Sequence, residues 1–113
     1  MSERTARLFL LLPWLSLPLV LAAYAVVWER VPARVAVHFD LEGRANGWMG
    51  RWESLGFDAG VLLLVLLLST WKIYRRGGPS EAPGQLAMFN SAVLLLTFIF
   101  LAVLKYNVTG SLL

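Results

Sequence analysis

The sequence predicts an all-α membrane protein, three transmembrane helices with an extended, turn-rich extracytoplasmic loop between the first two. Three observations predict it. Hydrophobic residues make up 58% of the 113 positions, above the share of an ordinary soluble domain. Three runs approach the roughly 20 apolar residues that a helix needs to cross a bilayer. Five tryptophans suit a chain whose amphipathic rings collect at the headgroup level. The length allows a single membrane domain, residues 1–113. With no cysteine, disulfides, iron–sulfur clusters and thiolate zinc sites are excluded. A net charge of +3, scattered along the chain, leaves no footprint for nucleic acid.

The first span runs from Leu8 to Trp28 without a charge. Pro13 and Pro18 lie inside it; each removes a backbone donor, so a bend is expected. Arg4, Arg7, an apolar stretch and Ala23-Tyr24-Ala25 also fit a secretory signal with its cleavage site. Apolarity continues through Val26, Val27 and Trp28, however, which gives a full spanning length and favours a retained helix. Residues 29–54 form the loop. From Arg34 to Leu41 the chain alternates, with Val35, Val37, Phe39 and Leu41 on one side and His38 and Asp40 on the other. A period of two predicts an extended strand with one greasy face toward helix tips or lipid. Pro32 and the β-branched residues after it discourage a helix. Gly43 and Asn46-Gly47 read as turn signals, and Trp48 and Trp52 as the return to the interface. A lone strand cannot satisfy its own backbone, so a hairpin partner, a second subunit or water must do so.

The second span covers Leu55–Trp71, interrupted only by Asp58, and a snorkelling Lys72 extends it to residues 55–74. Residues 75–85, with "RRGGPSEAPG", read as a flexible cytoplasmic linker. The third span covers Leu86–Leu104, with Asn90, Ser91 and Thr97 as its polar content. Basic residues divide evenly: Arg4, Arg7, Lys72, Arg75 and Arg76 at one end, Arg30, Arg34, Arg44, Arg51 and Lys105 at the other. The second group is offset by Glu29, Asp40, Glu42 and Glu53, while the Lys72–Arg76 cluster abuts its helix. The N-terminus and the 75–85 linker are therefore expected in the cytoplasm, the loop and the C-terminus outside.

"VPARVAVHFDLEGRANGWMGR", just after a first span, resembles the domain of unknown function 1648, which opens membrane proteins of the SdpI type, a toxin-immunity and signalling family. That motif runs roughly Pro-x-x-Ile-Pro-x-His-Phe-Asn-x-x-Gly-x-Pro-Asp-x-Trp, then a basic residue. Pro32, Val35, His38, Phe39, Asp40, Gly43, Asn46, Trp48 and Arg51 fall on its places; Ala36 and Ala45 stand where the family has prolines. The resemblance covers Leu8 to Trp71 and implies a bacterial source and the inner (plasma) membrane.

The motif residues Pro32, His38, Phe39, Asp40, Gly43, Asn46, Gly47 and Trp48 form the candidate binding set. His38 and Asp40 share a strand face and are the only pair that suggests a metal, but two ligands fall short of a zinc site. A histidine that ties down loop carbonyls is the plainer reading. Asp58, one turn into its span, reads as a helix-start carboxylate favoured by the dipole and paired to Arg51 or Arg34, with an ion or proton site as the rival. Gly56 and Gly60 form a small-x-x-x-small pair suited to close helix packing, and Asn90 can hydrogen-bond across helices. Asn107 begins an "NVT" acceptor sequon. No residue pattern points to a cofactor or to catalysis. The expected partners are the lipid bilayer and other membrane proteins or further copies of the chain. Two roles are consistent with this: a small SdpI-like protein whose outer loop recognises a peptide, lipid or protein partner, or an accessory subunit of a larger membrane complex, near a cofactor that other chains hold.

Overall fold

The computed structural model describes residues 1–111, and its three long helices are each long and apolar enough to cross a membrane: Glu3–Arg30, Arg51–Arg75 and Pro83–Thr109. The first is a composite. Helix α1, Glu3–Leu11, starts where the Ser2 hydroxyl accepts the Thr5 N–H at 3.1 Å. It gives way to a 3-10 turn at Leu12–Leu15, and helix α2 follows over Ser16–Val27 before a second 3-10 turn at Trp28–Arg30. The break sits at Pro13, whereas Pro18 falls in the first turn of α2, which stays helical. Pro13 has no N–H for the carbonyl of Phe9, four residues back, and the side chain of Asn90 donates to that carbonyl instead, at 2.8 Å. A proline defect in one helix is thus repaired from another.

The polar connection that follows is a β-hairpin, so the chain is mostly helical rather than purely so. Strand β1, Arg34–Phe39, pairs antiparallel with β2, Ala45–Gly50. Ala36 faces Trp48 and Phe39 faces Ala45, with irregularities in register on either side of His38. The expected alternation nevertheless largely holds, with Arg34 and His38 exposed and Ala36 as its exception within β1. Val35 is fully buried, Val37 and Phe39 half-buried, and Ala36 is buried on the opposite side of the strand. Leu41, expected on the greasy face, lies in the turn and is fully exposed. Asn46 and Gly47 lie within β2, and the turn is made upstream at Asp40–Arg44.

Helix α3 spans Arg51–Arg75 and begins four residues before the apolar run, taking Trp52 and Ser54 out of the loop. Glu53 in its first turn and Lys72 and Arg75 in its last complement the helix dipole. The connection to the third span is not a loose linker. Pro79–Glu81 forms a 3-10 turn packed beneath α1, with Pro79 and Ala82 buried and the Ser80 hydroxyl donating to Glu3 at 3.4 Å. Helix α4, Pro83–Thr109, opens with a proline at a position where its missing N–H costs nothing. It runs five residues past the apolar stretch, and that extension carries Tyr106 and Asn107.

The core lies along the seam of α2, α3 and α4, where Val20, Leu62, Leu66, Phe89 and Val93 are all at most 2% exposed. Large side chains such as Leu64, Leu94 and Phe98 point outward, as expected where the surrounding solvent is hydrocarbon. Burying such residues gains little when the alternative is lipid, so packing and interhelical hydrogen bonds must hold the helices together. Trp14 supplies one, its indole N–H donating to Thr70 on α3 at 3.1 Å.

Candidate functional site

The hairpin sits across one end of the bundle, and the chain's polar chemistry concentrates there in two layers. The outer layer is the turn. Asp40 organises it: one carboxylate oxygen accepts the N–H groups of Glu42 and Arg44, both at 2.9 Å, while its own N–H donates to the Arg44 carbonyl. This is the local side-chain mimicry of a backbone turn for which aspartate is suited. Gly43, with φ of +80°, completes it in a conformation that side chains resist. Arg44 pairs with Glu42 and lies 3.8 Å from Asp40, all at the exposed surface, where such pairs contribute little. Asp40 is therefore a turn-former, and its carboxylate is already engaged.

His38 donates from Nδ1 to the side-chain oxygen of Asn46 on the facing strand. Directly opposite His38 is Gly47, and a Cβ there would stand 2.9 Å from the histidine Cβ. The histidine and the Asn-Gly pair are thus one cross-strand unit. Among the described residues no group of three or more histidine, cysteine, aspartate or glutamate side chains could hold a metal ion. Pro32 lies exposed between the second 3-10 turn and β1. Trp48, 49% exposed, lines with Arg34 a shallow notch of about 270 Å³.

What fixes this hairpin to the bundle is Asn107, which the sequence marks only as a sequon. Its amide N–H donates to the carbonyl of Ala36 at 2.8 Å, and its oxygen accepts the Ala36 N–H at 2.7 Å. A primary amide presents a donor and an acceptor in one plane, so this side chain closes the outer edge of β1 as a neighbouring strand would. Beside it, Phe39 meets Tyr106 edge-on, ring centroids 4.9 Å apart. Both contacts come from the last turns of α4, seventy-one residues away in sequence for the amide pair.

Beneath the hairpin lies the second layer, a buried polar cluster between α2 and α3. The Tyr24 hydroxyl donates to Asp58 at 2.6 Å and lies 2.8 Å from the Ser54 hydroxyl. Tyr24 and Ser54 are 1% exposed and Asp58 6%. Asp58 is therefore held by a tyrosine of the neighbouring helix and makes no ion pair with Arg51 or Arg34. Arg51 instead sits over the ring of Trp28, 5.0 Å from its centroid, and Trp52 packs on the same ring at 4.6 Å. Ser54 and Asp58, four apart on one helix, share a face; that spacing was a usable signal, whereas Tyr24 stands amid residues with no polarity to flag it.

The three helix-packing candidates separate. Asn90 bridges α4 to α1 through Phe9 and also bonds its own Leu86 carbonyl at 2.9 Å. Gly56 and Gly60 face outward on α3, and beyond the adjoining backbone of α3 itself no atom comes within 4 Å of a Cβ built on either. They mediate no contact within the chain.

Compared with known proteins, residues 8–68 match the model of a family described as a Domain of unknown function (DUF1648). That segment takes in most of the first span, the whole hairpin and the Tyr24–Ser54–Asp58 cluster, but not Asn107. No curated protein and no solved structure matches the chain.

Proposed function

The chain belongs to the DUF1648 family, a domain of unknown function, and on that footing we propose that it is a small, non-catalytic integral membrane protein of the SdpI-like type whose hairpin recognises a peptide, lipid or protein partner. One observation carries the reading. The hairpin is clamped by Asn107 and Tyr106 while its turn and outer strand stay open, with Leu41 fully exposed and Trp48 half-exposed beside Arg34. Apolar side chains held outward on a fixed polar frame are the common anchors of recognition surfaces. The polar cluster below has a structural task, keeping α2 against α3, and lacks the open pocket that acid–base chemistry needs.

In this reading the hairpin and the C-terminus face outward from a bacterial plasma membrane, and the N-terminus and the Pro79–Glu81 turn face the cytoplasm. Support comes from the basic cluster Lys72, Arg75 and Arg76 at the end away from the hairpin. Near the hairpin Arg44 is paired with acids and Arg51 is spread over Trp28.

A photo-crosslinking residue placed at Leu41, with a control at Phe98 on the outer face of α4, tests recognition in native membranes. The expected result is a discrete adduct from Leu41 alone, lost on Trp48→Ala. Adducts identical from both positions would remove the hairpin as the recognising surface. The second reading is an accessory subunit beside a cofactor held by other chains, and a groove along the bundle favours it.

A further inference from the structure

The side of the bundle away from α3 carries two clefts between the first span and α4, of about 750 and 470 Å³, which meet at Leu19. Together they run from Leu12 to Arg30 along one wall, and from Asn90 to Thr109 along the other. At 1.5 Å per residue the first wall is about 27 Å long, close to the thickness of a bilayer's hydrocarbon core. We propose that this groove seats one transmembrane helix of a partner protein, carrying a hydrogen-bonding side chain at mid-depth and an acidic residue near the hairpin end.

Each part of that description answers a feature of the groove. Ala22 and Ala23 line it, so that a helix backbone can approach closely. About a fifth of the way along this wall, but near the middle of the Glu3–Arg30 span, Ser16 is only 7% exposed, and its buried hydroxyl oxygen has no hydrogen-bond partner among the described residues. A serine in a helix ordinarily returns its proton to a carbonyl one turn back, but here the turn before it is the 3-10 segment at Pro13. A turn of the Ser16 rotamer brings the hydroxyl to the groove, where lipid chains offer only methylenes and a Ser, Thr or Asn on a facing helix offers a partner. At the hairpin end, Arg30 and Lys105 are exposed at the mouth, with no acidic residue among the groove's liners.

A second copy of the chain fits less well. The outward stripe of α3 that holds Gly56 and Gly60 continues through Leu63 and Leu67, with no polar group to meet Ser16. The proposal rests on the accessory-subunit reading and names the class of neighbour; it makes no use of the hairpin as a recognition surface.

The full chain in liposomes tests it, because the absence of cysteine permits one fluorophore at Arg76→Cys, remote from the groove. Two synthetic single-span Leu/Ala helices serve as probes, one with Asn at its centre and Glu at the matching end, the other with Leu at both places. Energy transfer should show the Asn/Glu helix associating about three- to tenfold more tightly. Ser16→Ala should remove most of that preference, and Ala22→Leu should abolish association of both helices. Equal association of the two probes, or a preference unchanged in Ser16→Ala, overturns the proposal. So does transfer between copies of the chain itself, lost in Ala22→Leu, or a lipid retained at one per chain and lost in the same variant. Intact-complex mass spectrometry of native extracts addresses the subunit reading separately: a chain found alone there would end that reading without altering the probe result.

Discussion

Asn107 does at the scale of one side chain what an extra strand would do for a sheet. Replacing it with Leu removes both bonds to Ala36 and leaves a buried peptide group unpaired on one side, a cost of about 1–3 kcal/mol. The variant should show accelerated hydrogen exchange across β1 while the helices stay protected. Exchange unchanged at Ala36 would mean that the hairpin is held by other contacts. Tyr24 poses the complementary case. Tyr24→Phe strands the Asp58 carboxylate between helices and should destabilise the chain in micelles by about 2 kcal/mol. Tyr24→Phe combined with Ser54→Ala and Asp58→Leu should recover most of that loss, because an apolar set leaves no buried side-chain polar group of the cluster unpaired. At Gly47 the issue is space. Ala there meets the His38 Cβ at 2.9 Å, so it should loosen the hairpin and weaken the His38–Asn46 bond, whereas Gly43→Ala should act through backbone strain alone. The spectral signature of the His38 ring separates the two, shifting in the first variant and not in the second.

Among the elements, the broken first span depends on its neighbour. Asn90 donates to the Phe9 carbonyl that Pro13 leaves without an N–H. Asn90→Leu should therefore cost about 1–2 kcal/mol in the native chain and much less once Pro13→Ala restores the missing donor. A double-mutant cycle by denaturant titration measures this, and additive effects would contradict the pairing. The spans themselves were legible because apolar runs near 20 residues have few alternatives, and the strand from Arg34 was legible from its period of two. The position of the turn was legible only in part, since Gly43 marks it and Asn46-Gly47 does not. Asn-Gly is a strong hairpin signal, yet Asp40 and Gly43 together form a better-satisfied turn upstream. Asn46 and Gly47 then become the strand that faces His38. The partners of Asp58 and of Asn107 were hidden for another reason. Tyr24 is 34 residues from Asp58 and Ala36 is 71 from Asn107, and local pattern carries no information over such separations.

For the whole molecule, the end that carries the hairpin holds most of the specific polar structure: the turn, the amide clamp, the Trp28–Arg51–Trp52 stack and the Tyr24 cluster. The opposite end is simpler, with the Pro79–Glu81 turn tucked beneath α1. Orientation can be read without background because the native chain has no cysteine. Glu42→Cys in intact cells should react with an impermeant maleimide, and Arg76→Cys only after permeabilisation; the reverse pattern would invert the proposed topology. One consequence of the amide clamp concerns the order of events during synthesis. The ribosome makes the hairpin's two strands some sixty residues before it makes the asparagine that latches them. Until the final span has been threaded into the bilayer, the nascent chain therefore exposes an unfinished sheet edge, and its cap acquires a fixed shape only when the last turns of that span arrive.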